Sequence, residues 1–93
     1  MKSSIKQIGF IYNSQVSEAV DLCQSVIKDL NLSERAWSTS ADQIAEKKDE
    51  LKETSLIIIL GGDGTILRTL RILAPHEIPM LSINLGRVGF MSE

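Results

Sequence analysis

Leu56-Ile57-Ile58-Ile59-Leu60-Gly61-Gly62-Asp63-Gly64-Thr65 sets a bare apolar run directly against three glycines and one carboxylate. Five consecutive aliphatic residues without alternation fit a strand covered on both faces, as in the middle of a parallel sheet with helices above and below. Such a run is too short for a helix or a membrane span. Behind the glycines, Ile66, Leu67, Leu70, Leu73 and Ala74 recur at helical spacing, and Pro75 stops the run. Gly61 to Gly64 is therefore a strand-to-helix turn.

A turn of this kind leaves the first amides of the helix pointing outward with the positive end of the helix dipole, which suits an anionic phosphate. Glycines let a ligand approach the backbone closely. The stretch lacks the Gly-Lys-Ser/Thr ending of a Walker loop, and Gly62-Asp63-Gly64 lacks the third glycine of the dinucleotide fingerprint. Asp63 departs from both. A carboxylate beside a phosphate site is repelled unless it binds a cation or takes a proton from an attacking hydroxyl, and this points to phosphoryl transfer. The plainer alternative makes Asp63 only a helix N-cap and the glycines only turn formers.

The 93 residues make one domain, small for a sheet covered on both faces. Ten Lys and Arg against twelve Asp and Glu leave a net charge of −2, which gives a nucleic-acid role no electrostatic support. The apolar stretch Ile8 to Tyr12 is short and runs into Asn13 and Ser14 without a cleavage-like site, so it reads as structure rather than as a targeting segment. With no apolar run near the length of a span and one cysteine, neither a membrane helix nor a disulfide framework is expected. The expected setting is reduced and cytoplasmic.

From the start of the chain, Ile5, Ile8, Phe10, Ile11 and Tyr12 predict a first strand, closed by Asn13 and Ser14, which suit a turn and a helix cap. Ala19, Val20, Cys23, Val26, Ile27 and Leu30 then form one helical face that ends near Asn31, with Cys23 as a small buried hydrophobe. Arg35 to Thr39 predicts a short second strand whose Trp37 packs against a helix. Ser40-Ala41-Asp42-Gln43 has the spacing of a capping box and predicts a polar helix from Ala41 to Lys52, with Ile44, Ala45 and Leu51 as its thin apolar contact.

After the central stretch, Pro79 to Asn84 predicts a fourth strand, with proline acceptable at its first position. It leads into Asn84-Leu85-Gly86-Arg87-Val88-Gly89-Phe90, a second glycine-bearing loop. Both loops lie outside the carboxyl ends of their strands and line one crevice if those strands are neighbours. Arg68 and Arg71 in the helix, and Arg87 in the second loop, can approach phosphate there, as can Thr65; helix-surface arginine is the plainer reading. His76, the sole histidine, reads as a solvated connection residue. The fold expected is α/β, a three-layer open parallel sheet of about four strands with helices on both faces.

Gly61-Gly62-Asp63-Gly64-Thr65, followed by Asn84-x-Gly86-x-x-Gly89-Phe90, closely resembles the NAD kinase family, also described as inorganic polyphosphate/ATP-NAD kinases. The first motif is shared with diacylglycerol and sphingosine kinases and, in similar form, with 6-phosphofructokinases; the second points to NAD. The resemblance covers nearly the whole chain. It implies that residues 1–93 are an amino-terminal α/β nucleotide-binding domain, with a carboxyl-terminal β-rich domain and its Asn-Glu motif lying beyond this chain.

The activity so implied is phosphorylation of the 2′-hydroxyl of the NAD adenosine ribose by ATP or polyphosphate, with Mg2+ or another divalent cation, in a homodimer or homotetramer. Lipid kinase activity, or nucleotide binding without catalysis, are the alternatives. By resemblance, Asp63 meets the 2′-hydroxyl as base, and Gly61, Gly62 and Gly64 leave room for phosphates. Asn84, Gly86 and Gly89 shape the pocket, and Phe90 packs near the adenine. Met91 stands where leucine or tyrosine is common. No protein side chains are assigned as metal ligands.

Overall fold

The computed structural model describes residues 7–85. Four parallel strands pair in the order β2-β1-β3-β4, where β1 is Gln7–Tyr12, β2 is Ala36–Ser40, β3 is Thr54–Gly61 and β4 is Met80–Asn84. Three helices accompany them: α1 (Ser17–Asp29), α2 (Lys48–Lys52) and α3 (Asp63–Leu73). A 3₁₀ segment, Ala41–Lys47, precedes α2, and a 3₁₀ turn, Ala74–His76, follows α3.

The aliphatic run is the centre of the sheet because it is apolar on both sides. Ile57 and Ile59, with Ile11 of β1, face a layer made by Ala41, Ile44, Leu51 and Leu73. Leu60, with Phe10 of β1, faces Ala19 and Cys23 of α1. The chain steps from β1 to β2 in one direction and from β2 through β3 to β4 in the other. Right-handed crossovers therefore put α1 on one face and α2 and α3 on the opposite one. The three-layer α/β architecture expected from sequence is the one observed.

Local details depart from the simple patterns. Neither Asn13 nor Ser14 caps α1; Val16 is the cap residue and makes no side-chain bond. Asn13 instead builds the turn, its Oδ1 accepting the Gln15 amide at 2.9 Å and its carbonyl the Val16 amide at 3.0 Å. The helix closes at Asn31, whose φ of 58° is left-handed, with Leu32 donating back to the Ile27 carbonyl at 2.8 Å.

The capping box at Ser40 does not form. Ala41 and Ile44, three residues apart, are the positions that reach the sheet, a spacing that three residues per turn satisfies better than 3.6. The segment accordingly winds as 3₁₀ with a non-helical Gln43 before α2 begins, and Ala45 is exposed.

α3 also turns a different side to the sheet than its leucines suggest. Thr65, Thr69 and Leu73 are buried, whereas Leu67 and Leu70 are 54% and 38% exposed. The cause is the close approach at its amino end, where a Cβ on Gly61 would stand 3.0 Å from the Thr65 Cβ. Short branched threonines fit under such a contact and leucines do not.

Trp37 lies against the neighbouring strand, since a Cβ on Gly9 would come within 2.3 Å of its Cζ2. Its Nε1–H donates to Thr54 Oγ1 at 2.9 Å, and that hydroxyl donates to the Glu50 carbonyl at 2.6 Å, tying the end of α2 to β3.

Candidate functional site

The carboxyl ends of all four strands open on one edge, and the first loops to diverge there are those after β1 and β3. These strands are neighbours whose connections leave in opposite directions, so the gap between their loops is the switch point of the sheet. A cleft of about 430 Å3 occupies it, lined by Asn13, Gln15, Asp42, Gly62, Gly64, Thr65 and Arg68. The Asn13 amide donates to the Leu60 carbonyl at 3.2 Å and holds the β1 loop against the end of β3.

β3 runs through Gly61, Gly62 is the extended cap residue of α3, and Asp63 is its first helical residue. Asp63 is thus not the N-cap. The first intrahelical bond is donated by Ile66 to the Gly62 carbonyl at 3.0 Å, so the amides of residues 63–65 lie ahead of the helical ladder at the positive end of the dipole.

No described glycine has positive φ, so conformational freedom does not account for this run. At Gly61 an added Cβ would crowd Thr65, meeting its Cβ at 3.0 Å. Gly62 and Gly64 are different: an added Cβ would meet nothing within 4 Å at either. Their bare faces leave backbone accessible from the cleft side.

The acidic residue lies on the other flank of the same helical turn. Gly61 pairs with Asn84 across β3 and β4, and the Leu85 amide donates to the Gly61 carbonyl at 2.9 Å. From that fixed position the Asn84 Nδ2–H donates to Asp63 Oδ1. The adjacency of β3 and β4 on which the expected crevice depends is present, while the second glycine loop lies outside the described residues. The turn at the start of α3 has two sides, a polar cleft toward β1 and the Asp63–Asn84 pair toward β4.

Arg68 lines the cleft and is held by Asp42, Nη2 to Oδ1 at 3.0 Å, with both side chains more than half exposed. An exposed pair of this kind opens at little cost. Thr65 also lines the cleft although its side chain is almost fully buried. Arg71 and His76 are exposed and lie outside the lining. Gly86, Arg87, Gly89 and Phe90 lie outside the described residues. Sequence alone assigns Asn13 and Asp42 only turn and capping roles and Gln15 none, because their place in the cleft depends on the strand order, which no local pattern states.

Residues 15–93 match the family model of the ATP-NAD kinase N-terminal domain. The chain belongs to the NAD kinase family. A protein named NAD kinase from Dehalococcoides mccartyi strain BAV1 is 46% identical over 89 residues, covering 95% of this chain and 31% of that protein. Another of that name, from Heliobacterium modesticaldum, is 34% identical over 94 residues, covering 92% of this chain and 33% of its own length. This member of the family thus spans about a third of the length of these relatives.

Among solved structures, a Bacillus anthracis protein assigned by name to the diacylglycerol kinases superposes with a TM-score of 0.62 at 23% identity, over 89% of this chain and 33% of that one. This shared fold carries no statement about acceptor. Gly61 and Asn84 stand at the carboxyl ends of β3 and β4, and Asp63 and Gly64 in the first turn of α3.

Proposed function

We propose that this chain supplies the donor-phosphate cleft and the proton acceptor of an enzyme that phosphorylates NAD on the adenosine ribose 2′-hydroxyl, using ATP or polyphosphate. The observation that carries the reading is the two-sided turn at the start of α3, with bare glycines and Arg68 on the cleft side and Asp63 on the other. A phosphate chain in the cleft would lie against the amides ahead of the helical ladder and within reach of Arg68. The acceptor hydroxyl would meet Asp63.

In that arrangement the Asp63 carboxylate takes the proton of the ribose hydroxyl as its oxygen bonds to the terminal phosphorus of the donor. The bond from that phosphorus to the bridging oxygen breaks, and the shortened donor leaves with the electron pair. A carboxylate is a weak base, so alignment of oxygen and phosphorus and stabilisation of charge by the amides and Arg68 carry most of the acceleration.

No group of three His, Cys, Asp or Glu side chains able to hold a metal stands among the described residues. A divalent cation would enter with the donor, bound to its phosphates, where it would neutralise their charge.

The reading places the enzyme in the cytoplasm, as a homo-oligomer. Among the described residues no helix is long and apolar enough to cross a membrane. Leu67, Leu70 and Leu81 are exposed apolar side chains that assembly would cover.

Product analysis tests the acceptor. The longest natural form of the protein, beside residues 1–93 alone, is incubated with Mg-ATP or Mg-polyphosphate and either NAD or a diacylglycerol. NADP from the long form is expected, with little or none from residues 1–93. Phosphorylated lipid without NADP would replace this reading with a lipid kinase.

A further inference from the structure

The Asn84 side chain reaches from the end of β4 to Asp63 at the start of α3. Its amide nitrogen donates to Asp63 Oδ1. A carboxylate only accepts, so the nitrogen end of the amide is the end that must face it.

The anchor is well held. Asn84 is the last residue of β4 and pairs with Gly61, and the next amide, Leu85, bonds to the Gly61 carbonyl at 2.9 Å. Asp63 follows two residues after Gly61, across a glycine cap that has no side chain to contribute. One end of the tether thus stands on a paired strand and the other on the first residue of a helix, the arrangement that fixes a functional group more closely than a loop can.

The chemistry of the tether also fits a base. Lys or Arg at this place would neutralise the carboxylate and compete with the hydroxyl proton for it. An uncharged amide orients one oxygen, leaves the negative charge in place, and does not titrate over the pH range in which the enzyme would work.

We propose that Asn84 is a positioning residue for Asp63, aiming its carboxylate at the acceptor hydroxyl through the Nδ2–H···Oδ1 bond, and that it does not itself bind the dinucleotide. The inference rests on the reading of Asp63 as the proton acceptor. It predicts that losing the tether lowers turnover and leaves the binding of NAD intact.

Steady-state NADP formation by the longest natural form is measured for wild type, Asn84→Ala and Asn84→Asp, with kcat and the KM for NAD separated. A thermal melt of each variant accompanies the kinetics. Asn84→Ala should lose about 10- to 100-fold in kcat, with the KM for NAD within about twofold of wild type.

Asn84→Asp keeps the shape and removes the donor, setting a second carboxylate against the first. Its kcat should fall below that of Asn84→Ala near pH 8. It should then recover relative to Asn84→Ala as the pH is lowered, because facing like charges favour retention of one proton by the pair, which restores a donor at position 84. A purely structural role would not produce this reversed pH dependence.

A raised KM for NAD with unchanged kcat in Asn84→Ala would overturn the proposal in favour of direct substrate binding. An Asn84→Asp profile parallel to wild type at all pH values would overturn it as well, and this second variant decides the matter if Asn84→Ala melts early. Failure of folded wild type to form NADP from either donor would instead remove the kinase reading itself, and the positioning role with it.

Discussion

At Gly61 an added methyl would stand 3.0 Å from Thr65, whereas at Gly62 and Gly64 it would meet nothing within 4 Å. The first position therefore answers to the fold, and the other two stand open to whatever enters the cleft. Gly64 lies inside α3, where alanine is favoured over glycine by about 1 kcal/mol. Gly64→Ala should accordingly raise the melting temperature by a few degrees, read by circular dichroism. The same methyl projects where phosphate would approach, so in the longest natural form the KM for the phosphoryl donor should rise. A more stable variant with unaltered donor KM would remove Gly64 from the site. The difference between these roles could not be read from the motif, since Gly61, Gly62 and Gly64 look alike until the helix is laid against the strand.

At the scale of elements, β3 was the most legible, because an unalternating aliphatic run has few uses other than a strand covered on both faces. α3 was legible as a helix but not in its orientation. Periodicity gathers Ile66, Leu67, Leu70 and Leu73 on one arc, and only the clearance at Gly61 decides that Thr65 and Thr69 go under instead. The segment from Ala41 departs from the single helix its pattern predicts, because Ala41 and Ile44 fit either period and burial selects the tighter one. On the outward side of α3, Arg68 is paired with Asp42 across exposed surface. Arg68→Ala should therefore change stability by no more than about 1 kcal/mol, measured by urea titration of residues 1–93. In the longest natural form the substitution should raise the KM for the donor and leave that for NAD near its wild-type value. Equal effects on both would show that Arg68 does not act on the donor.

For the molecule as a whole, two loops on one edge of a parallel sheet were foreseeable from the motifs, and their adjacency depended on strand order. The order β2-β1-β3-β4 puts the switch point between β1 and β3 and so adds Asn13, Gln15 and Asp42 to the cleft. The global core has its own reporter. Burial between α1 and the sheet pushes the Cys23 thiol up from 9.0 to about 11, because the thiolate is poorly solvated there. The unfolded chain loses this proton first, so the contribution to stability is complete below pH 9 and is lost as the pH rises through about 11. Urea titrations across that window should show stability falling, and Cys23→Ala should flatten the fall; an unchanged slope would place its cause elsewhere.

A proton acceptor at Asp63 makes the rate of NADP formation depend on its carboxylate, and the rate in the longest natural form carrying Asp63→Asn measures that dependence. The expected result is a loss of at least about a thousandfold in kcat, roughly 4 kcal/mol of barrier, with the melting temperature retained. A rate within about tenfold of wild type, about 1.4 kcal/mol, would contradict it.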